Sequence, residues 1–490
     1  AGRMPETSDA AAPPPSPPAP PPRRFETRHQ GQFGGTDIAY RCVAGETRLP
    51  DAEGNPRASI FSFAYLAESE RPEARPVIFA FNGGPGSASL WLHMGAMGPR
   101  RVAVPADAKP AGSGPYRVED NKLCLLDRAD LVFIDPPGTG FSRTMGTMKP
   151  EEAWGVEPDA ELVGEFIKAW LSANRRWASP RFLCGESYGT TRAVAVAGKL
   201  SGQLAAMAFN GIFLISAILD FHTARFERGN PLADACFLPT YAMTARHHGL
   251  IQAPDRDAFI DEARRFAAER YLPALFLGGR LPKAEHEAVL AETARLTGLA
   301  PEWLARTRLR IEPGRFRKEV LRARGLTVGR FDARYTGADY DAAGELPDAD
   351  ASAYAIDAAY VSAVHDHMTR ALGIDWDRPY NTFNRDALNK WDWAGPKKDD
   401  QPRWPGYVNV APTLGRLLRE NPRLRVLIAN GLYDLATPFG AIEATIAGNG
   451  IDAARIGMTY YEAGHMMYQH EPSLAALMGD IRALVAEVAA

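Results

Sequence analysis

The pentapeptide Gly185-Glu186-Ser187-Tyr188-Gly189 and its two flanks constrain this chain more than any other feature. The short apolar run 181–184 before it predicts a buried strand, and the run 190–200 after it is compatible with a helix. Glycines at both ends relieve crowding, so that a serine can stand exposed on a sharp turn between strand and helix. This context predicts a reactive Ser187, although the five-residue pattern alone also fits a serine in an ordinary loop.

Short apolar runs elsewhere predict further strands of one sheet. Each ends in glycine, aspartate or a polar loop, and together they span residues 76–81, 130–135, 211–216, 425–429 and 458–461. Their apolarity is continuous rather than alternating, which indicates that both faces of the sheet are covered. Amphipathic helices are predicted at 159–174 and from Pro472 towards the C-terminus. Strands that alternate with such helices predict an α/β fold with a mostly parallel, doubly wound sheet.

The middle of the chain departs from this pattern. Residues 221–404 are rich in Ala, Arg and Glu, and helical patterns recur at 255–271, 282–299 and 356–372. We expect this stretch to form an inserted, mainly helical cap over the carboxyl ends of the strands, where open α/β sheets bind their ligands. Residues 25–220 and 405–490 then form the core.

The N-terminal 24 residues have a composition that does not build a core. Residues 11–22 consist only of Ala, Pro and Ser, which is typical of extended, disordered segments. We therefore expect residues 1–24 to be a disordered tether. Such a tether suits an exported protein of the periplasm or envelope better than a cytosolic protein.

Charge and hydropathy argue against several classes of function. The 56 basic and 59 acidic residues give a net charge of −3, which provides no basic footprint for nucleic acid. No continuous apolar run reaches the length of about 18 residues that a membrane span requires. The four cysteines match no metal site and no disulfide framework, and we expect buried thiols at Cys42, Cys124, Cys184 and Cys236.

His365 and His367 flank Asp366 and suggest a metal site at first inspection. Residues two apart on a helix face away from each other, so we expect solvated cap histidines rather than metal ligands. No other group of residues implies a metal ion or an organic cofactor.

A serine hydroxyl becomes a good nucleophile only when a histidine takes its proton and an acid holds that histidine in the right tautomer. In α/β hydrolases the acid and then the histidine follow the serine, on loops after late strands. Asp434 lies just past the predicted strand 425–429, and His465 follows the strand 458–461 in an Ala-Gly-His loop. Asp434 could instead cap a helix over 435–446, and His470 is the nearest competitor of His465.

The segment Asn82-Gly83-Gly84-Pro85-Gly86-Ser87 follows the first predicted core strand. Acyl transfer needs backbone N–H groups aimed at the oxyanion that forms, and glycine lets the backbone come close. We assign this role to the amides of Gly84 and Tyr188, the latter being the residue after the nucleophile. A plain Gly-Pro turn is the alternative interpretation of this loop.

These motifs together resemble the serine carboxypeptidases of the α/β-hydrolase superfamily, and in particular their bacterial members. The resemblance runs from about Phe81 to Leu484. It is carried, in order, by residues 82–86, by Ile-Asp-Pro-Pro-Gly-Thr-Gly-Phe-Ser at 134–142, by 185–189, and by Gly-His-Met at 464–466 with Pro472. Four matches in order are far more specific than any one of them.

The resemblance implies a peptidase that removes residues from the C-terminus through an acyl-enzyme. It further implies that Asn82, the Gly83 backbone and Glu186 bind the free carboxylate of a peptide substrate. A glutamate that faces a carboxylate must be protonated to donate a hydrogen bond, so binding should strengthen in mild acid.

The chain departs from the family pattern at several positions. Ala96 stands where a second glutamate is usual, Leu432 where an additional aspartate often occurs, Tyr468 where a proline is common, and Ser87 where a cysteine is usual. The first departure bears on carboxylate recognition and on the expected acid optimum. Two other functions stay open: an esterase or acyltransferase on the same fold, and a non-catalytic binding protein. The sequence leaves the oligomeric state undetermined.

Overall fold

A computed structural model describes residues 20–202, 206–394 and 406–489. Its strands are β1 (Arg24–Phe33), β2 (Thr36–Pro50), β3 (Pro56–Ala67), β4 (Val77–Phe81), β5 (Arg100–Val102), β6 (Val118–Asp120), β7 (Asp130–Ile134), β8 (Arg143–Thr144), β9 (Arg181–Glu186), β10 (Gly211–Ile215), β11 (Thr327–Val328), β12 (Thr336–Gly337), β13 (Arg425–Gly431) and β14 (Ile456–Tyr461). Its α-helices are α1 (Val156–Ala173), α2 (Tyr188–Leu200), α3 (Leu232–His247), α4 (Arg256–Phe266), α5 (Leu272–Leu277), α6 (Lys283–Thr297), α7 (Pro301–Arg306), α8 (Pro313–Glu319), α9 (Ala351–Tyr354), α10 (Asp357–Asp366), α11 (Arg385–Asn389), α12 (Ala411–Glu420), α13 (Phe439–Gly448) and α14 (Glu471–Ala489).

One ten-stranded sheet organises the molecule. Its order is β1-β2-β3-β7-β4-β9-β10-β13-β14, and the short β8 pairs with β3. The pairs from β7 to β14 are all parallel, whereas β1, β2 and β3 are antiparallel to their neighbours. The predicted α/β fold with a mostly parallel sheet is therefore confirmed. In a parallel block all strands end at one edge, so the loops after β4, β9, β10, β13 and β14 meet there.

Strand β4 illustrates why the apolar runs are continuous. Side chains alternate between the two faces of a strand. Ile78 and Ala80 enter the core cluster that contains α14, while Val77 and Phe79 enter the cluster that contains α1, α2 and α12. Both faces are thus covered by helices. Full burial of a side chain such as Phe79 stabilises the fold by about 1.5–3 kcal/mol.

The described residues between β10 and β13 are mainly helical. Helices α3 to α8 build an apolar cluster of their own, which Tyr433 and Phe439 join from the loop after β13 and from α13. The later part of this stretch, including Ala359, Tyr360 and Tyr380, packs into the cluster of the main sheet instead. The domain boundaries at 220/221 and 404/405 remain predictions, and residue 404 lies outside the described residues.

Several elements differ from the expectations. The antiparallel strands β1 to β3 were not predicted, and the helical pattern 255–271 is α4 followed by one π-helical turn at 267–271. The first 19 residues of the predicted tether lie outside the described residues. The Arg48 guanidinium donates to the carbonyl of Pro20, and β1 begins at Arg24. All four cysteines are buried and unpaired, as expected.

The expectation of two solvated cap histidines is wrong for one of them. His365 is exposed, but His367 is buried and its Nε2 lies 2.9 Å from the hydroxyl of Tyr65 on β3. The same hydroxyl lies 2.6 Å from Nε2 of His93. Burial, followed by the charge of Arg100, lowers the pKa of His367 to about 3, so its ring is neutral.

Among the helices of the described residues, none combines the length and apolarity that crossing a bilayer requires.

Candidate active site

Ser187 stands on a strained turn between β9 and α2. Its φ and ψ are 60° and −130°, a region that residues with a side chain rarely occupy. Its N–H donates to the carbonyl of Ile215 on β10 at 3.0 Å, which ties the turn to the neighbouring strand. A Cβ at Gly185 would collide with the carbonyl oxygen of Gly189, so the two glycines are required for this turn.

Asp434 and His465 form a buried pair on the loops after β13 and β14. Nδ1 of His465 lies 2.7 Å from Oδ2 of Asp434, and the two residues are 3% and 0% exposed. Asp434 Oδ1 accepts the N–H groups of Ala436 at 2.8 Å and Thr437 at 2.9 Å. Burial lowers the pKa of His465, but the charge of Asp434 and its hydrogen bond outweigh burial and raise it above the usual value. This environment stabilises an imidazolium.

Ser216 connects the histidine loop to the serine turn. Its Oγ donates to the carbonyl of His465 at 2.6 Å, and its chain neighbour Ile215 holds the N–H of Ser187. Thr437 Oγ1 lies 3.0 Å from the Ser216 carbonyl and 2.9 Å from Asp434 Oδ2. Ser216 and Thr437 were not predicted from the sequence, and only their positions after β10 and β13 could have indicated them.

Among the hydrogen bonds of the described residues, none joins the Ser187 hydroxyl to the His465 ring. Nδ1 of His465 is engaged by Asp434, which leaves Nε2 as the nitrogen for proton transfer. Catalytic hydrogen bonds are often long before substrate binds and shorten in the complex. The arrangement is therefore a serine turn beside a histidine–aspartate pair, with the serine half-buried.

The glycine loop after β4 lies against the first turn of α2. A Cβ at Gly83 would collide with the backbone nitrogen of Tyr188, so these two backbones are in direct contact. Gly84 has a φ of 100°, in the region that favours glycine. The amides of Gly84 and Tyr188, predicted to face one oxyanion, belong to these two adjoining segments.

A buried arginine holds this loop in place. Nη1 of Arg192 donates to the carbonyl of Asn82 at 2.5 Å, and its Nε donates to Asp159 at 2.6 Å. Its guanidinium also lies 5.2 Å from the ring centre of Tyr188. Arg192 thus connects the loop after β4 to α1 and α2, a role that its helical pattern alone did not reveal.

Glu186 is the last residue of β9, directly before Ser187, and is 3% exposed. Burial raises its pKa to about 7, against the lowering effects of the His465 charge and of hydrogen bonds from Tyr468 and Asn82. Asn82 Oδ1 accepts the N–H of Leu92 at 3.0 Å, so its amide group is oriented towards Glu186. The carboxyl is therefore in a position to change its protonation near neutral pH.

Tyr468 is a further functional candidate that was not predicted from the sequence. Its hydroxyl donates to Oε2 of Glu186 at 2.9 Å. A Cβ at Gly95 would lie 2.6 Å from both the Tyr468 ring and the Tyr360 hydroxyl, so the tyrosines pack tightly against the turn that carries Ala96. The only sequence signal was that Tyr468 departs from the family pattern. A hydroxyl donor thus contacts Glu186 in a chain that lacks the family's second glutamate.

No group of three or more His, Cys, Asp or Glu residues within the described ranges is arranged to hold a metal ion. The site consists of the serine turn, the histidine–aspartate pair, the glycine loop and Glu186.

The sheet order, the turn at Ser187 and the loops after β13 and β14 define an α/β-hydrolase fold. The family model described as serine carboxypeptidase matches residues 51–237, which confirms the resemblance over that segment. The matched segment contains Ser187, Glu186 and the glycine loop, whereas Asp434 and His465 lie outside it.

Plant proteins are among the curated relatives. The chain is 28% identical to serine carboxypeptidase-like 33 of Arabidopsis thaliana over 185 residues, which is 36% of this chain and 34% of that protein. It is 29% identical to serine carboxypeptidase-like 26 of Oryza sativa subsp. japonica over 185 residues, 37% of this chain and 35% of that protein. The chain thus spans about a third of the length of the curated relatives it matches.

Solved structures resemble the chain at low identity. A proline iminopeptidase of Mycobacterium smegmatis aligns with 91% of this chain and 98% of its own, at 12% identity and a TM-score of 0.37. An epoxide hydrolase mutant from Aspergillus niger aligns with 91% of this chain and 78% of its own, at 13% identity and a TM-score of 0.34. The fold assignment therefore depends on the strand order of this chain.

Proposed function

We propose that this chain is a serine carboxypeptidase that releases C-terminal residues from peptides through an acyl-enzyme. The observation that carries the proposal is the buried pair of His465 and Asp434, 2.7 Å apart, on loops that adjoin the strained turn of Ser187. A buried imidazole with a raised pKa beside a serine on such a turn is the arrangement that nucleophilic acyl transfer requires.

In the proposed reaction, Ser187 Oγ attacks the carbonyl carbon of the last peptide bond and its proton passes to Nε2 of His465. The negative charge moves to the carbonyl oxygen, which the amides of Gly84 and Tyr188 stabilise. The C–N bond then breaks, and His465 returns the proton to the leaving amine. Water, deprotonated by His465, hydrolyses the acyl-enzyme and restores Ser187. Asp434 stays ionised throughout and holds the imidazole.

The proposed carboxylate site consists of Asn82, the Gly83 N–H and Glu186. Protonated Glu186 donates a hydrogen bond to the substrate carboxylate, and an ionised Glu186 repels it. Because the pKa of Glu186 is about 7, substrate binding weakens as pH rises through neutrality.

Hydrolysis of a blocked dipeptide with a free C-terminus tests the proposal. Wild-type protein should release the last residue, and Ser187→Ala should reduce kcat by about a thousandfold or more. Labelling by a fluorophosphonate should occur at Ser187 in the wild type only. Full activity in Ser187→Ala would refute the assignment of the nucleophile.

The same substrate with an amidated C-terminus distinguishes a carboxypeptidase from an esterase or acyltransferase. The free acid should have the higher kcat/KM, by about tenfold or more, because only it uses Glu186 and Asn82. Equal rates on both would favour an esterase. Failure of the probe to label Ser187 would favour a non-catalytic binding protein.

The proposal extends to location, because the Ala, Pro and Ser composition of residues 11–22 suits a tether outside the cytosol. We propose an exported protein of the periplasm or envelope. Fractionation of cells that express the full-length gene tests this part, and recovery in the cytosolic fraction contradicts it.

A further inference from the structure

A cavity of about 850 Å³ outside the candidate active site is lined by more basic than acidic side chains. Four arginines line it together with two carboxylates, Glu46 and Asp386. The arginines are Arg23, Arg48, Arg143 and Arg378. Ser187, Asp434 and His465 do not line it, so it is a separate recess.

Two of the four guanidinium charges are not neutralised by the protein. The Arg378 guanidinium pairs with Glu46 at 3.2 Å, and the Arg23 guanidinium pairs with Asp375 at 3.2 Å. Glu46 also accepts from the hydroxyl of Ser59 at 2.8 Å. Arg143 instead donates to backbone carbonyls, including that of Ser142 at 2.7 Å. Within the described residues, neither Arg48 nor Arg143 forms an ion pair.

The electrostatics of Arg143 agree with this excess of positive charge. Burial and then the neighbouring charge of Arg378 lower the pKa of Arg143. A bound anion reduces the repulsion between like charges that are held together in a partly buried recess. Guanidinium groups bind carboxylates with two parallel hydrogen bonds. The recess is therefore suited to a carboxylate-bearing ligand.

The walls of the recess are fixed rather than flexible. The Arg378 guanidinium lies 4.1 Å from the ring centre of Trp376, which restricts its rotation. The side-chain amide of Asn384 donates to the carbonyl of Gly138 at 2.9 Å. A ligand would meet arginines that are already ordered, which reduces the entropy lost on binding.

The recess is connected to the glycine loop of the candidate active site. The loop that follows β7 lines it through Gly138, and β7 pairs directly with β4. Asn384, another lining residue, donates its N–H to the carbonyl of Gly86 at 2.7 Å. A peptide bound at Ser187 therefore has the recess within reach along the same edge of the sheet.

We propose that this recess binds acidic side chains of the peptide segment that precedes the scissile bond. The inference rests on the proposed function, because it assumes a peptide at Ser187, and it deepens that function by naming acidic peptides as the preferred substrates. Arg48 and Arg143 supply the unpaired charges.

Two blocked peptides that share their last two residues test this inference. One carries glutamates upstream and the other carries glutamines. Wild-type kcat/KM should favour the acidic peptide by about tenfold at low salt, and added salt should reduce the preference. Arg48→Gln should bring the ratio close to one. Arg425→Gln is the matched control, because Arg425 of β13 pairs with Glu487 of α14 and does not line the recess, and it should keep the wild-type ratio.

Direct binding separates this inference from the proposed function. Ser187→Ala should bind the acidic peptide about tenfold more tightly than the neutral one in calorimetry, and Arg48→Gln in that background should remove the difference. If Ser187→Ala binds the acidic peptide selectively but the wild type hydrolyses neither peptide, the proposed acidic-peptide site is supported and the proposed peptidase activity is refuted. Hydrolysis without an acidic preference, or a preference that survives in Arg48→Gln and Arg143→Gln, would overturn the acidic site. Thermal melting of Arg48→Gln checks that this variant is folded. If Arg143→Gln does not fold, the comparison of wild type with Arg48→Gln decides the test.

Discussion

The hydroxyl of Tyr468 donates a hydrogen bond to Glu186 Oε2 across 2.9 Å, where both side chains are almost fully buried. A neutral donor stabilises the ionised carboxyl, whereas a second acid would destabilise it. Ala96 supplies no such acid. The pKa of Glu186, about 7, is therefore set mainly by burial, with Tyr468 acting in the opposite direction.

The variant Tyr468→Phe should shift the pH dependence of substrate binding upward. Loss of a hydrogen bond to a charged group destabilises that charge by about 1.5 kcal/mol, which raises the pKa of Glu186 by about one unit. Glu186 then stays protonated to higher pH, so the rise in KM with pH should occur about one unit later. KM and kcat for a peptide with a free C-terminus, measured from mild acid to mild alkali, check this expectation.

Tyr335→Phe is the control for that measurement. Tyr335 is also buried, but its hydroxyl donates to Gln469 at 3.3 Å rather than to Glu186. The pH dependence of KM in Tyr335→Phe should therefore follow that of the wild type. A shift of equal size in both variants would mean that general loosening of the site, and not the bond to Glu186, sets the profile.

Replacing Glu186 by glutamine should make binding insensitive to pH in the same range. A glutamine amide donates a hydrogen bond at every pH. The Glu186 carboxyl can donate one only while it is protonated, that is, below a pH of about 7. KM of Glu186→Gln should therefore stay nearly constant where KM of the wild type rises. A KM that still rises steeply in this variant would show that another group controls carboxylate binding.

The same substitution has a consequence for stability. The pKa of Glu186 is raised from its usual value to about 7 in the folded state. Its favourable contribution is therefore complete in acid, and it is lost as pH rises through about 7, by about 3 kcal/mol. Glu186→Gln should remove this loss. Urea denaturation of both proteins in acid and in mild alkali measures the difference, and parallel pH dependences would contradict it.

The variant Asp434→Asn should lower kcat by about a thousandfold or more while KM changes little, because the imidazolium formed in the transition state loses its stabilising charge. His465 acts as a base only when neutral, so kcat rises with pH through its pKa. The charge of Asp434 raises that pKa, and its removal should move the acid limb of kcat to lower pH. A pH profile of kcat for wild type and variant checks both effects. An unchanged acid limb would mean that His465 is not the titrating base.

The sequence was sufficient to predict the strands that precede Ser187, Asp434 and His465. Ser187 and Asp434 follow β9 and β13, which are buried apart from their first residues, and a strand buried on both faces gives a continuous apolar run that can be recognised locally. The edge strand β14 before His465 is buried only at its two ends, and its four-residue run at 458–461 was still recognisable. The antiparallel strand β1 was missed because its side chains alternate between exposed and half-buried positions, so its apolar signal is weak. The predicted strand ends were also too early at β9 and β13, which continue to Glu186 and Gly431.

The contact between Tyr468 and Glu186 could not be predicted from sequence. The two residues are 282 positions apart, and their approach depends on how the loop after β14 packs against β9. The burial of His367 was missed for a similar reason. Helical spacing correctly placed His365 and His367 on different faces of the helix. It contained no information that the hydroxyl of Tyr65 on β3 contacts the ring of His367.

Two glycine substitutions should have opposite effects on stability. A Cβ at Gly185 would overlap the Gly189 carbonyl, so Gly185→Ala should displace the serine turn and lower the free energy of unfolding by about 2 kcal/mol or more. Gly479 is exposed within α14 and a Cβ there meets nothing, so Gly479→Ala should raise it by up to about 1 kcal/mol. Denaturant titration measures both, and a neutral Gly185→Ala would contradict the close approach.

The buried histidines should make the fold less stable in acid. The pKa of His367 is about 3 in the folded state because of burial, whereas in the unfolded chain it is about 6.5. The unfolded state therefore binds more protons below about pH 6.5, and stability is lost by about 1.4 kcal/mol per pH unit for this group as pH falls.

His367→Gln should show a shallower loss in urea denaturation across this range, even if the variant is less stable at neutral pH. His365→Gln, which changes an exposed histidine two residues earlier, should keep the wild-type slope. Equal slopes in all three proteins would mean that the ring of His367 takes up its proton without unfolding.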